Sequence, residues 1–165
     1  VGAVECLSNY DIDISGSAIK EGLASVEWPG RLEIMQRSPL VVLDSAKDTE
    51  ATRALAEAVD ELPHRRLITV VSISSDKNIP GMIANLARVS DEFVVTSHSV
   101  MGRAAEREAL SGEIGNYGRP WESVEKVSDA VDRAIAKARD EDMVLVTGSV
   151  FVVGEARRRW KGASA

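Results

Sequence analysis

Hydrophobic positions along the chain fall into short unbroken runs that alternate with longer stretches of helical repeat. Leu40-Val41-Val42-Leu43 is continuous and β-branched at its centre, the pattern of a strand covered on both faces. From Asp48 the repeat changes: Ala51, Leu55, Ala58, Val59 and Leu62 recur near every 3.6 residues until Pro63, which predicts a helix. A second apolar run over residues 67 to 73 is followed by a helical stretch at 79 to 87, and a third run covers 92 to 96. Residues 103 to 110 read as helix. Gly112, Gly115, Asn116 and Gly118 then read as a loop that closes on Arg119-Pro120-Trp121. Val124, Val127, Val131 and Ile135 predict a long helix over about 123 to 139, before a last strand at 143 to 147 and a closing apolar helix.

Upstream of these elements the signal is weaker. Residues 4 to 7 form a short helical piece, Ser8-Asn9 breaks it, and 14 to 24 predict a helix with Ser15 or Ser17 as its cap. Pro29-Gly30 marks a turn, and residues 31 to 36 alternate in the manner of a half-buried strand. Alternating strands and helices imply an α/β fold, with a parallel or mostly parallel sheet flanked by helices. No internal repeat or low-complexity tract interrupts the pattern.

Composition narrows the function. In 165 residues, 44% are hydrophobic and 28% charged, the balance of one globular domain. The net charge of −6 argues against a nucleic-acid surface, which needs a basic face. Arg157-Arg158-Arg159 with Lys161 is the local exception, and it reads as a helix end complementing its dipole. The single cysteine, Cys6, leaves no internal disulfide and suits a reducing cytoplasm. No run approaches the length of a membrane span, and Val1 opens no signal peptide. A chain that opens on Val1 rather than Met is expected to be part of something longer.

Candidate chemistry gathers where strands end. Asp44 closes the first central strand, where side chains enter the crevice above an open sheet; its carboxylate suits ribose hydroxyls. Lys47 and Arg31 offer cations to phosphate oxygens. A plainer reading has Asp48 or Thr49 capping the next helix and Asp44 supporting the turn. Asp76-Lys77 and Ser97-His98 occupy comparable strand ends, with Arg103 close behind the latter; each also reads as a cap or an ordinary structural residue. Gly148-Ser149 could present helix amides to an anion, although packing explains it better. The chain has no G-x-x-x-x-G-K-[ST] loop, and no zinc or dinucleotide signature fits.

Four of these segments together carry a resemblance. Trp28-Pro29-Gly30-Arg31-Leu32-Glu33, Asp44-Ser45-Ala46-Lys47-Asp48-Thr49, Asp76-Lys77-Asn78-Ile79 and the block 144 to 155 stand in the order W-P-G-R-L-E, D-G-A-H-N-P, D-K-D-I and V-T-G-S-L-Y-L-V-G-E. Arg103-Ala104 matches an R-A pair between the last two. The set resembles the C-terminal domain of the folylpolyglutamate synthase or dihydrofolate synthase family, in the Mur ligase superfamily. That resemblance implies a Rossmann-like domain over residues 28–165, with 1–27 ending a central domain and forming the linker. It implies an ATP-dependent ligase that adds L-glutamate to dihydropteroate or folate through an acyl-phosphate, inactive without its own N-terminal ATPase domain, which would supply the phosphate loop and the Mg2+ ligands. ATP would meet Arg31, Asp44 and Lys47; Asp76, Lys77, Ser97, His98 and Arg103 would help orient substrate. Lys47 stands where the family has histidine, and the following asparagine and proline are also replaced. Another Mur-type amide ligase, or a non-catalytic Rossmann-like binding module, is the alternative, and a phosphate loop encoded upstream of Val1 would separate ligase from module.

Overall fold

A computed structural model describes residues 2–10, 12–100 and 102–161. The sequence expectations for residues 1, 11, 101 and 162–165 lie outside the described residues. The chain opens with α1 (Gly2–Glu5), a 3-10 helix (Cys6–Tyr10) and α2 (Gly16–Ala24). Ser15 caps α2 by accepting from the Ala18 amide at 3.2 Å, so the first of the two candidate caps is used. No residue of α2 is buried, and its contribution to the core is correspondingly nil.

The remainder builds one six-stranded sheet in the order β1-β2-β6-β3-β4-β5. β1 (Glu33–Arg37) pairs antiparallel with β2 (Leu40–Leu43) at one edge, with an irregularity between Ile34 and Gln36. All other pairings, among β2, β3 (Leu67–Val71), β4 (Glu92–Val95), β5 (Trp121–Ser123) and β6 (Met143–Thr147), are parallel. Every residue of β3, β4 and β6 is buried, as their continuous apolar runs require.

Helices cover both faces. α3 (Thr49–Asp60), α4 (Ile79–Val89) and α5 (Arg107–Gly115) bring Leu55, Val59, Met82, Ile83, Leu86, Leu110 and Ile114 onto one face, around Phe93 and Leu145. α6 (Val127–Lys137) and α7 (Val150–Lys161) bring Val127, Val131, Ala134, Val152 and Ala156 onto the other. The α/β architecture is as the alternation implied. Several local expectations are corrected, among them the break at Ser8-Asn9, which lies inside the 3-10 helix Cys6–Tyr10.

The helix expected over 103 to 110 runs instead from Arg107 to Gly115, because residues 103 to 105 hydrogen-bond to the end of β3: the Ser75 amide donates to the Arg103 carbonyl and the Ala105 amide to the Ile73 carbonyl, each at 2.8 Å. Gly112 and Gly115 therefore belong to α5, whose Leu110 and Ile114 pay for them by full burial. Residues 121 to 123 are an edge strand where the end of a loop and a helix from about 123 were expected, and α6 begins at Val127. Three residues are too few to show a period of two.

Two features tie the ends of the chain into the sheet. Gly148, between β6 and α7, has φ +103°, and a Cβ there would lie 2.6 Å from the Ser72 carbonyl oxygen of the neighbouring strand end. Only glycine fits both the conformation and the space. Glu33, at the start of β1, accepts from Arg157 of α7 at 2.9 and 3.0 Å and from the Gly30 amide at 2.8 Å. Burial works to raise the Glu33 carboxyl, but the Arg157 hydrogen bonds, the Gly30 amide and the charges of Arg157 and Lys161 together hold it below the usual glutamate range. Arg159 pairs with Asp132 at 2.6 Å, so two of the three consecutive arginines brace the fold rather than simply terminate a helix.

Gly148→Ala is expected to destabilise the domain by at least about 2 kcal/mol, seen as a Tm lower by roughly 4 to 8 °C in thermal denaturation. Glu33 has a depressed folded pKa, so its contribution is complete above the ordinary glutamate range and is lost as pH falls through its lower folded value. Wild type should therefore lose more Tm between neutral and acidic pH than Glu33→Gln, in which that titration is absent; equal losses would show that the pair adds no pH-dependent stability.

Candidate functional site

Because β2, β6 and β3 are parallel neighbours, their carboxyl ends open on one side of the sheet. The helix after β2 covers one face and the helix after β6 the other, so the chain diverges between them and leaves a crevice at the ends of the strands. Asp44 stands at this point and is 7% exposed. One carboxylate oxygen accepts from the Leu32 amide at 2.9 Å and the other from the Ala46 amide at 2.8 Å. The Leu32 amide is twelve residues upstream, in the turn that carries Arg31; the Ala46 amide immediately precedes Lys47. One buried carboxylate thus fixes the backbone on which both cations are mounted.

The turn itself is strained into shape. Gly30 has φ +69° and Leu32 φ +44°, an uncommon conformation for a branched-chain residue, held by the Asp44 bond. A Cβ on Gly30 would come within 2.8 Å of Ser45 Oγ, and the Ser45 amide donates to the Gly30 carbonyl at 2.8 Å. Arg31 and Lys47 are both exposed, with no ion pair to another described residue. The structure therefore brings Arg31, Asp44 and Lys47 to one junction. Asp44 supports the turn, as the plainer reading has it, and retains a free lone pair on each oxygen. Asp48 is the N-cap of α3, accepting from the Ala51 amide at 2.8 Å.

Asp76 and Lys77 spend their charges on each other at 2.7 Å, and the Lys77 ammonium is the main reason the Asp76 carboxyl lies below its ordinary range. Asn78 caps α4 through the Gly81 amide and donates to Thr49 Oγ1, joining the starts of α3 and α4.

At the end of β4 the arrangement is different. His98 is 3% exposed and its ring lies 5.1 Å from that of Phe151, over which the Arg103 guanidinium sits at 5.6 Å. Neither ring nitrogen of His98 has a hydrogen-bond partner among the described residues, an arrangement that costs about 1–3 kcal/mol for an unsatisfied buried polar group. Burial lowers the His98 pKa; Glu155 pulls it up and Arg103 pushes it further down, leaving it below the ordinary histidine value and the ring neutral at pH 7. Ser99 donates to Glu155 through both its amide and its hydroxyl, at 2.7 and 2.8 Å. Ser97, His98 and Glu155 line a cleft of about 810 Å3 that runs between the end of β4 and helices α6 and α7, with Lys126 and Arg158 on its walls. Arg103 lies over Phe151, behind the cleft wall. Phe151 and Glu155 were legible as one turn of a helix face inside the block 144 to 155; Lys126 and Arg158 carried no motif, and nothing in the sequence marked them.

Among the described residues no group of three or more His, Cys, Asp or Glu side chains could hold a metal ion. No helix of the described residues is long and apolar enough to cross a membrane.

Residues 30–150 match the sequence family described as Mur ligase, glutamate ligase domain. The chain is 39% identical over 160 residues to a probable bifunctional folylpolyglutamate synthase/dihydropteroate synthase of Halobacterium salinarum, covering 96% of this chain and 19% of that protein. Its structure is similar to that of Escherichia coli FolC in complex with DHPP and ADP, with a TM-score of 0.86 and 31% identity over 99% of this chain and 38% of the other. It is also similar to the bifunctional folylpolyglutamate synthase/dihydrofolate synthase solved with Mn, AMPPNP and L-glutamate bound, with a TM-score of 0.82 and 27% identity over 95% of this chain and 37% of the other. The chain thus spans well under half the length of the proteins it matches. With its strand order, its Trp28 to Glu33 turn and a family match across most of its length, this chain belongs to the Mur ligase glutamate ligase domain family.

Proposed function

We propose that residues 28–165 are the C-terminal domain of an ATP-dependent ligase that joins L-glutamate to dihydropteroate or folate, and that residues 1–27 end a central domain and form the linker. The observation that carries this reading is the junction at Asp44, where a buried carboxylate holds two exposed cations, Arg31 and Lys47, at the mouth of the crevice. The similarity to FolC bound to DHPP and ADP supports it.

In this reading the γ-phosphoryl group of ATP passes to a pterin-linked carboxylate, giving an acyl-phosphate and ADP. The glutamate amine then attacks the acyl carbon, loses a proton and expels inorganic phosphate. Arg31 and Lys47 bind and position phosphate oxygens and offset the charge that spreads over them. Asp44 keeps the two at fixed spacing and can accept from a ribose hydroxyl. Ser97, His98 and Arg103, with Asp76 and Lys77 further along the same side, help orient the substrate. The phosphate loop and the Mg2+ ligands are placed in the chain's own N-terminal ATPase domain, which this domain closes over, and the whole enzyme works in the cytoplasm.

Lysine in place of histidine at position 47 trades a neutral donor for a permanent cation on a longer stem, and that retains a phosphate contact. In the full-length enzyme, Lys47→Ala is expected to raise the KM for ATP or lower kcat, with kcat/KM reduced roughly 10- to 100-fold for one lost charge-assisted contact. Unchanged ATP kinetics would remove Lys47 from the nucleotide site. The 165-residue chain alone is expected to release no ADP from ATP when given glutamate and dihydropteroate; turnover by the purified chain would refute its dependence on the ATPase domain.

A further inference from the structure

Arg31 stands on a turn that is held from two sides. The Leu32 amide, after it, donates to Asp44 at 2.9 Å, and the Gly30 amide, before it, donates to Glu33 Oε2 at 2.8 Å. The Arg31 amide closes the turn on the Trp28 carbonyl at 3.1 Å. Asp44 is anchored by the sheet, its own amide donating to the Val146 carbonyl of β6 at 3.0 Å. Glu33 is anchored by α7: Arg157 Nε donates to both of its carboxylate oxygens, and the Glu33 side chain is only 17% exposed. One turn earlier on the same helix face, Val153 lies under Gly30, where an added Cβ would come within 3.0 Å of Val153 Cγ1. Positions 153 and 157 thus form a seat for the turn, apolar beneath Gly30 and charged beside Glu33. A largely buried carboxylate that loses its counter-charge is driven towards water, and Glu33 moving that way releases the Gly30 amide.

We propose that Arg157 is a positioning residue for Arg31: by holding Glu33 it fixes the Gly30 side of the turn, as Asp44 fixes the Leu32 side, and so sets the direction in which the Arg31 guanidinium leaves the domain. The inference rests on the phosphate role proposed for Arg31 and adds to it a residue of the closing helix that has no substrate contact of its own. Lys47 supplies an internal contrast. Its backbone is fixed by Asp44 through the Ala46 amide, and Arg157 reaches that loop only indirectly, through the Gly30 carbonyl that accepts from the Ser45 amide. Loss of Arg157 therefore acts on one cation of the junction and largely spares the other.

Kinetics of the full-length enzyme and a backbone measurement on the 165-residue chain test this together. Arg157→Gln is expected to lower kcat/KM for ATP roughly 5- to 20-fold. Arg157→Lys keeps a cation opposite Glu33 and should lose less. The Arg157→Gln change made in an Arg31→Ala enzyme should cost less than about twofold, because the group it aims is gone, whereas in a Lys47→Ala enzyme it should cost as much as in wild type. A merely structural role would carry its loss into both backgrounds. In the 165-residue chain, hydrogen exchange followed by NMR should show the Gly30 amide exchanging at least about tenfold faster in Arg157→Gln, with the Ala46 amide unchanged. The amide spectrum reports whether each variant is folded; should Arg157→Gln not fold, Arg157→Lys carries the same comparisons with smaller losses. Unchanged ATP kinetics in Arg157→Gln, an undiminished loss in the Arg31→Ala enzyme, or a Gly30 amide that exchanges as in wild type overturns the inference. Arg31→Ala with unchanged ATP kinetics would overturn the phosphate reading, and the role of Arg157 towards ATP with it, even where the Gly30 exchange shows that Arg157 holds the turn; that pattern separates the two failures.

Discussion

The Asp44 carboxylate is the constraint on which the candidate site depends. Its two oxygens reach backward to Leu32 and forward to Ala46, so a single side chain defines the shape of two loops that are otherwise unrelated in sequence. Hydrogen bonds to an ionised acceptor at nearly full burial are strong ones, and here they hold a leucine at positive φ. The exposed cations Arg31 and Lys47 have long, flexible stems. Fixing the backbone beneath them leaves only the side-chain stems to be ordered in any contact they make. Positioning, in this corner of the fold, is a backbone property set from below.

A second layer of constraint comes from α7. Glu33 joins the start of β1 to Arg157, Glu155 gathers the Ser99 loop, and Phe151 lies tilted against the His98 ring. Positions 151, 155 and 157, within two turns of one helix, therefore reach both the Asp44 junction and the cleft beside β4. The two regions are chemically different: the first presents exposed cations around a satisfied carboxylate, the second a buried neutral imidazole without a hydrogen-bond partner among the described residues.

Much of the fold was legible because the central strands are buried on both faces and read as unbroken apolar runs; β2, β3, β4 and β6 all fall where those runs stand. The edge escaped for the opposite reason. β5 is three residues long and half exposed, and Trp121 after a proline looks the same in a loop as in a strand. Around α5, two glycines read as loop because the tertiary burial of Leu110 and Ile114 outweighs their poor helix propensity. At the site, Arg31, Asp44 and Lys47 could be found because strand-end polar residues are conspicuous against apolar neighbours. That Asp44 bonds to Leu32 could not, since it depends on a hairpin returning the chain across twelve residues. Lys126 and Arg158 were indistinguishable from ordinary surface charge until the helices were packed.

The strand order carries a consequence for how the molecule comes into being. β6, the last strand in sequence, lies between β2 and β3, and no direct pairing joins the β1-β2 hairpin to the β3-β4-β5 half without it. During synthesis the hairpin flanked by Arg31 and Asp44 thus has no sheet to join until β6 has left the ribosome, and the Glu33 link spans 124 residues. The two halves are pieces awaiting a keystone. A chain interrupted before residue 143 would hold most of its apolar core residues and none of the geometry of the crevice, so the surface around Asp44 is completed only when the whole domain is.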